Sequence, residues 1–147
     1  MKPSSLFFTS LVFFCLVSFI PRDKTDLRQD ILKYTNRFRE SKNLPALVMN
    51  SELNEIAEKH TLNMATGRVP FGHQGFPQRS ELIRKKLKCW NVAENVSFGI
   101  NSGKDAVELW ETSPGHRLNM LGDYKYIGIG TAVDRSGRKY FTQIFAH

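Results

Sequence analysis

The sequence has very few cysteines, with two in 147 residues, Cys15 and Cys89. Because Cys15 lies in an apolar N-terminal run, the remaining domain has a single cysteine and cannot form an internal disulfide. A domain of about 125 residues is large enough to be held together by the packing of its core alone. Cys89 stands beside Trp90 without a nucleophile motif around it, and we predict that it is a buried apolar side chain.

The sequence also lacks the short signatures of common metal and catalytic sites. It contains neither a His-Glu-x-x-His nor a Cys-x-x-Cys spacing. After residue 21 there is no internal repeat, low-complexity tract or linker. We therefore predict one domain over residues 22–147.

The first 21 residues differ in composition from the rest of the chain. Lys2 is followed by an uncharged, strongly apolar run to Pro21, which is the pattern of a secretory signal peptide. The cleavage site is poor. Ser18 is small enough for the last position of the signal, but Leu16, two residues earlier, is bulky. An uncleaved membrane anchor is therefore the alternative, although the apolar block is short for a span of about 20 residues. The domain is expected to be secreted, extracellular or periplasmic, or to be anchored to a membrane by this segment.

Basic residues outnumber acidic ones, with 21 Lys and Arg against 14 Asp and Glu and a formal net charge of +7. Part of the excess lies in the run Arg84-Lys85-Lys86-Leu87-Lys88. Such a run can attract a membrane surface or an anionic envelope polymer, although a solvated helix face is the simpler interpretation. Nucleic acid is not an expected partner, because the chain carries an export signal and no aromatic-rich binding motif accompanies the charge.

Helices dominate the first half of the predicted domain, and two of its three strands come at the end. The predicted helices are 25–41, 51–66, 79–88 and one that a capping box opens at Ser102. The predicted strands are 91–98, 126–133 and 140–146. His60 falls on the apolar face of the second helix, so we predict a core histidine there. The pattern favours an α+β fold in which helices cover a mainly antiparallel sheet.

One stretch, Ser113-Pro114-Gly115-His116-Arg117-Leu118-Asn119-Met120, carries the clearest functional signal. Ser113 is predicted to cap a short helix, and Pro114 suits the first helical position. His116 then lies in the first turn, where the positive end of the helix dipole disfavours the imidazolium. A neutral imidazole can bind a metal or accept a proton. The alternative is a capped helix whose histidine has no special role.

Two further residues are candidates for the same site. His73 lies in a loop rich in glycine and proline, and loops often carry functional side chains. Glu94 interrupts an otherwise uncharged strand, and a carboxylate buried there needs a partner. Together, His73, Glu94 and His116 could hold Zn²⁺ with an open position for water. They could equally form a hydrogen-bonded network that only shapes a cleft.

Several segments, taken in their order along the chain, resemble one protein family. They are Ala93-Glu94-Asn95-Val96, Trp110 followed by Ser113 to Met120, Tyr126-Ile127-Gly128-Ile129-Gly130, and Tyr140-Phe141-Thr142-Gln143-Ile144-Phe145. They are similar to segments of the CAP superfamily, which comprises cysteine-rich secretory proteins, antigen 5 and plant pathogenesis-related proteins and is also called the SCP domain. The match is closer to its small, disulfide-free bacterial branch, and it extends from about Thr25 to the C-terminus.

The resemblance implies a three-layer α-β-α sandwich and a cleft in which many members carry two histidines and two glutamates. By motif, His73, Glu94 and His116 match three of these four residues. Ser113 stands where the second glutamate usually lies, and Asn95 adjoins Glu94. The site residues expected from the resemblance are therefore His73, Glu94, Asn95, Ser113 and His116.

The resemblance also implies a function. It favours a binding module for a lipid or another small hydrophobic ligand, with a divalent cation such as Zn²⁺ as a further expectation at His73, Glu94 and His116. The missing second glutamate makes an enzyme less expected. The alternatives are a metal-dependent hydrolase or protease with Glu94 as its base, and an envelope interaction protein that acts through its basic surface.

Overall fold

The computed structural model describes residues 26–147, and the predicted signal peptide or anchor, residues 1–21, lies outside them. The elements are α1 (Leu27–Glu40), β1 (Val48–Met49), α2 (Ser51–Ala65), α3 (Phe76–Leu87), β2 (Val92–Phe98), α4 (Gly103–Thr112), α5 (Pro114–Leu121), β3 (Tyr126–Val133) and β4 (Lys139–Ala146). Within residues 26–147, none of the helices combines the length and the apolarity needed to cross a bilayer.

Two elements differ from the sequence prediction. Helix α3 begins at Phe76 rather than Arg79, because Pro77 fits the first turn of a helix instead of prolonging the loop before it. Strand β1 was not predicted, since two residues are too few to show an alternation of apolar and polar side chains.

The four strands form one mixed sheet in the order β1-β3-β4-β2. Strand β4 pairs antiparallel with both β3 and β2, whereas β1 pairs parallel with β3. Helices α2 and α3 cover one face of the sheet, and α1, α4 and α5 cover the other. The molecule is therefore the three-layer α-β-α sandwich with a mainly antiparallel sheet that the resemblance implies.

The two faces of the sheet are packed differently. Trp110 and Phe141 are fully buried on the face covered by α1, α4 and α5. On the opposite face α2 lies directly against β3. Gly128 allows this close approach, because a Cβ at this position would clash with the backbone of Leu53. Cys89 belongs to the core on this second face and is 4% exposed, and its burial raises the pKa of its thiol. The prediction of a buried cysteine is thus confirmed.

Strand β2 lies at the edge of the sheet, and side chains cover its free side. The carbonyl of Glu94 accepts a hydrogen bond from Asn119 Nδ2 at 3.1 Å, and the carbonyl of Val96 accepts one from Trp110 Nε1 at 3.2 Å. These bonds satisfy backbone groups that an edge strand would otherwise offer to another chain. They also hold α4 and α5 against β2, which places His116 at this edge.

Candidate functional site

The candidate site is built around the edge strand β2. Successive side chains of a strand point to opposite faces of the sheet. Glu94 therefore faces α2 and α3, whereas Asn95 and Ser97 face α4 and α5. Because β2 has no strand beyond it among residues 26–147, the loop with His73 and the helix with His116 meet at its outer side, where both line one cavity.

The Glu94 carboxylate is buried, with 1% of its side chain exposed, and both of its oxygens are bound. Arg79 donates from Nε to Oε2 at 2.8 Å and from Nη2 to Oε1 at 2.7 Å. These two bonds form a bidentate, charge-assisted ion pair. His73 Nδ1 lies 2.9 Å from Oε1. Since an ionised carboxylate can only accept, we assign a proton to Nδ1 of His73.

Sequence reasoning missed Arg79, although one signal pointed toward such a residue. A carboxylate inside an apolar strand requires a cationic partner, and α3 carries several basic residues. The sequence did not show which of them reaches Glu94, because that depends on the rotation of α3 against β2.

His60 is buried, as the sequence predicts for a core histidine, and it also supports the site. Its Nε2 lies 2.9 Å from the carbonyl of Gly72, the residue before His73, and 3.8 Å from Oε1 of Glu94. Burial lowers the pKa of His60, while the Glu94 charge acts in the opposite direction. His60 thus fixes the loop from which His73 reaches the site.

His116 lies in the first turn of α5 and is partly buried. Burial is the main cause that lowers its pKa, and the nearby His73 lowers it further. A lowered pKa agrees with the neutral imidazole that we expected from the helix dipole, but its main cause is desolvation rather than the dipole. Its Nδ1 is buried and has no hydrogen-bond partner.

The other two predicted site residues have different positions. Ser113 stands at the N-cap of α5, as predicted, but its side chain makes no capping hydrogen bond, and it does not line the cavity. The predicted capping contact is therefore wrong. Asn95 lies beneath the site and donates from Nδ2 to the carbonyl of His116 at 3.1 Å and to Gln143 Oε1 at 3.2 Å. It also accepts from Asn119 Nδ2 at 2.9 Å, so its role is to hold α5 in place.

The cavity at the edge of β2, which we call the edge cleft, has a volume of about 370 Å³. Its lining residues are Phe71, Gly72, His73, Val96, Ser97, Phe98, Leu109 and His116. The rings of Phe71 and Phe98 lie 4.6 Å apart between centroids, and with Leu109 they leave 41–47% of their surface exposed. Ser97 is 3% exposed, and its Oγ has no hydrogen-bond partner. The edge cleft thus has mostly apolar walls, and two of its lining residues, Ser97 and His116, carry a buried polar atom without a partner.

A zinc ion fits the predicted donor set poorly. Arg79 holds both oxygens of Glu94, and residues 26–147 contain no group of three or more His, Cys, Asp or Glu side chains arranged to hold a metal. His73 and His116 are the donors that remain at the edge cleft. Zinc binding through these two imidazoles stays a prediction.

Comparison with known proteins gives a consistent family assignment. The model of the cysteine-rich secretory protein (CAP) family matches residues 32–145. A Bacillus subtilis (strain 168) protein described as the uncharacterized membrane protein YlbC is 32% identical over 128 residues, which cover 83% of this chain and 35% of that protein. The chain therefore spans about a third of the length of this relative.

Solved structures support the same fold. An outer surface protein from Borrelia burgdorferi superimposes with a TM-score of 0.72 at 19% identity, covering 84% of this chain and 94% of that one. An extracellular protein containing an SCP domain from Bacillus anthracis gives a TM-score of 0.70 at 29% identity, covering 81% of this chain and 39% of that one.

Proposed function

This chain belongs to the cysteine-rich secretory protein (CAP) family, and from this premise we propose that it is an exported, non-enzymatic module that binds a small apolar ligand in the edge cleft. Export is supported by the composition of the first 21 residues. It is also supported by similar proteins that are described as an outer surface protein and an extracellular protein.

One observation carries the ligand-binding proposal. Phe71, Phe98 and Leu109 surround a cavity of about 370 Å³ and remain partly exposed. Ser97 and His116 line the same cavity, and each carries a buried polar atom, Oγ and Nδ1, that has no partner. Mostly apolar walls with a few polar groups that fix orientation are typical of small-molecule sites.

The cleft is a better candidate than the larger groove between α2 and α3. That groove has a volume of about 410 Å³, and its residues include Ile56, Val69 and Leu82. The groove is also lined by polar residues such as Lys59, Asn63 and Gln78. Within residues 26–147, however, the two buried side-chain polar atoms without a partner belong to Ser97 and His116, which line the edge cleft and not the groove.

A hydrolase is disfavoured by the state of Glu94. A general base must be free to accept a proton from water or substrate, and Arg79 and His73 already bind both carboxylate oxygens. Ser113 supplies no second carboxylate. We therefore propose that Glu94 holds His73 and α3 in place.

A second candidate function, contact with an anionic membrane surface through α3, has one specific observation in its favour. Trp90 is 72% exposed and follows Lys88 by two residues, and Lys85 and Lys86 in the last turn of α3 are exposed as well. Exposed tryptophan beside basic side chains is typical of contact with a membrane interface. Co-sedimentation with anionic and neutral vesicles, compared between the wild type and Trp90→Ala, tests this candidate.

The main proposal is tested with N-phenyl-1-naphthylamine, an uncharged apolar dye whose fluorescence rises in an apolar environment. We expect saturable binding by the full chain and its loss in Leu109→Glu, which puts a charge into the edge cleft. Leu118→Glu is the matched control, because Leu118 is 71% exposed and lies outside the cleft. An absence of saturable binding, or equal binding by both variants, would contradict the proposal. Native mass spectrometry of the same preparation would report the mature N-terminus and any co-purifying ligand.

A further inference from the structure

We infer that Gln143, hydrogen-bonded to Thr35, is a positioning residue for the His116 wall of the edge cleft, although neither Gln143 nor Thr35 lines the cleft. This inference rests on the proposed function, since it concerns how a wall of the same cleft is held. Neither residue is among the site residues that the sequence predicts. Their influence passes through the core of the protein, by way of Asn95.

Side chains from four elements form a continuous row of hydrogen bonds that ends at α5, which we call the polar row. Gln143 on β4 donates from Nε2 to Oγ1 of Thr35 on α1 at 2.7 Å. Asn95 on β2 donates from Nδ2 to Oε1 of Gln143 at 3.2 Å, and its Oδ1 accepts from Nδ2 of Asn119 on α5 at 2.9 Å. Thr35, Asn95 and Gln143 are each 0% exposed. A polar atom of this row that lost its partner would therefore stay buried and unsatisfied, which is costly.

The carbonyl of His116 fixes the orientation of the amides of Asn95 and Gln143. A carbonyl oxygen can only accept, so the group of Asn95 that lies 3.1 Å from it is assigned as the Nδ2 amine. The second hydrogen of this amine needs an acceptor, and Gln143 supplies its Oε1. The nitrogen of the Gln143 amide is then directed at Thr35, whose hydroxyl oxygen accepts.

Asn95 thus divides one amine between Gln143 in the core and His116 at the cleft. The two amide residues lie opposite each other in the pairing of β2 with β4. Without Oε1 of Gln143, one hydrogen of the Asn95 amine has no partner, and a rotation of Asn95 toward another acceptor weakens its bond to the carbonyl of His116. Helix α5 has only eight residues, and so short a helix depends on contacts with the rest of the protein. We therefore expect the first turn of α5, and with it the His116 ring at the cleft, to move when Gln143 is replaced.

The experiment compares Gln143→Leu with Thr142→Val, a change at the preceding residue of β4. Thr142 points to the opposite face of the sheet, where its hydroxyl is hydrogen-bonded to that of Thr61 at 2.7 Å. Thr142→Val therefore removes a buried bond of β4 without touching the polar row. Two quantities are measured on the full chain: the dissociation constant of N-phenyl-1-naphthylamine, and the NMR signal of the Cε1–H group of His116, assigned by its absence in His116→Ala. We expect Gln143→Leu to weaken dye binding by about threefold or more and to shift the His116 signal, and Thr142→Val to leave both at the wild-type values.

Thr35→Ser and Thr35→Val test the other end of the polar row, and they keep the inference testable if Gln143→Leu does not fold. Serine retains a hydroxyl that can accept from Gln143, whereas valine retains the shape of threonine without an acceptor. We expect Thr35→Ser to behave as the wild type. Thr35→Val should shift the His116 signal in the same direction as Gln143→Leu and weaken dye binding by about twofold.

The outcomes separate this inference from the proposed function. Unchanged dye binding together with an unchanged His116 signal in Gln143→Leu overturns the inference. Equal changes in Thr142→Val overturn it too, because the cleft then responds to any loss of a buried bond in β4. Wild-type behaviour of Thr35→Val overturns the role assigned to Thr35. Failure of the dye to bind the wild type rejects the proposed function, and the His116 signal then decides whether Gln143 positions α5.

Discussion

Glu94 and Ser97, two buried polar residues on opposite sides of strand β2, differ in whether their side chains are hydrogen-bonded. On the side of α2 and α3, Glu94 has both oxygens bound by Arg79 and His73. On the side of α4 and α5, only three residues further along, Ser97 Oγ has no partner. Buried polar groups in folded proteins are almost always hydrogen-bonded. The bound side, that of Glu94, therefore stabilises the fold. On the other side Asn95 is fully bonded, so the unbound position is Ser97 alone, beside the cavity where we propose a ligand.

The largest expected effect tests the bound side. Glu94→Gln removes the charge that compensates Arg79, and breaking a buried ion pair from one side costs about 3–5 kcal/mol. We expect the free energy of unfolding, measured by urea denaturation, to fall by about 3 kcal/mol. Glu58→Gln is the matched control, because it breaks the exposed pair between Arg28 and Glu58 and should cost less than about 1 kcal/mol. Equal losses in the two variants would mean that the Glu94 pair contributes no more than a surface pair.

The next effect concerns Asn95, the bonded residue on the same side of β2 as Ser97. Asn95→Ala removes the bonds to the carbonyl of His116 and to Gln143, and leaves Asn119 without one acceptor. We expect a loss of about 2 kcal/mol in the free energy of unfolding, together with weaker dye binding, because α5 is no longer held against β2. Asn91→Ala, which removes one exposed bond to the carbonyl of Asp123, should change stability by less than about 0.5 kcal/mol. A destabilised Asn95→Ala variant with unchanged dye binding would show that the edge cleft does not depend on α5.

Zinc binding tests whether Glu94 is held only by protein groups, because Arg79 and a metal would compete for its carboxylate. We expect weak zinc binding by the wild type in titration calorimetry, through His73 and His116. Arg79→Met should tighten it by about tenfold or more, since it frees a carboxylate as a third ligand. Identical isotherms for the wild type and the His73→Ala, His116→Ala double variant would reject the imidazole site. An unchanged affinity in Arg79→Met would show that Glu94 cannot reach the ion.

The features that the sequence predicted are those that depend on local pattern. Hydrophobic periodicity located the main helices and strands, and Ser102 is the N-cap of α4, with its hydroxyl accepting from Asp105 N at 3.1 Å, although the reciprocal bond of a capping box is not among the hydrogen bonds of residues 26–147. The layer order came from the family resemblance. The pairing of Arg79 with Glu94 was not predicted, because it depends on how α3 packs against the sheet.

The site itself was only partly predictable. Sequence reasoning placed His73, Glu94 and His116 in one site, and the structure brings His73 into contact with Glu94 and places His73 and His116 on one cavity. Glu94 does not line that cavity, because Arg79 and His73 cover its carboxylate. The sequence did not single out Ser97. A lone serine in a strand becomes a candidate only when the structure shows that no neighbouring group forms a hydrogen bond with its hydroxyl.

The smallest expected effect gives the most direct test of the unbound side. Ser97→Ala removes a hydroxyl that has no partner, so the free energy of unfolding should stay within about 0.5 kcal/mol of the wild type or rise slightly. Thr142→Val is the matched control, because the hydroxyls of Thr142 and Thr61 are hydrogen-bonded to each other at 2.7 Å on the other face of the sheet, and the loss of this bond should cost about 1 kcal/mol. If Ser97→Ala costs as much as Thr142→Val, the Ser97 hydroxyl is bonded in solution. The difference between the two sides of β2 would then vanish, and with it the reason to place a ligand at the edge cleft.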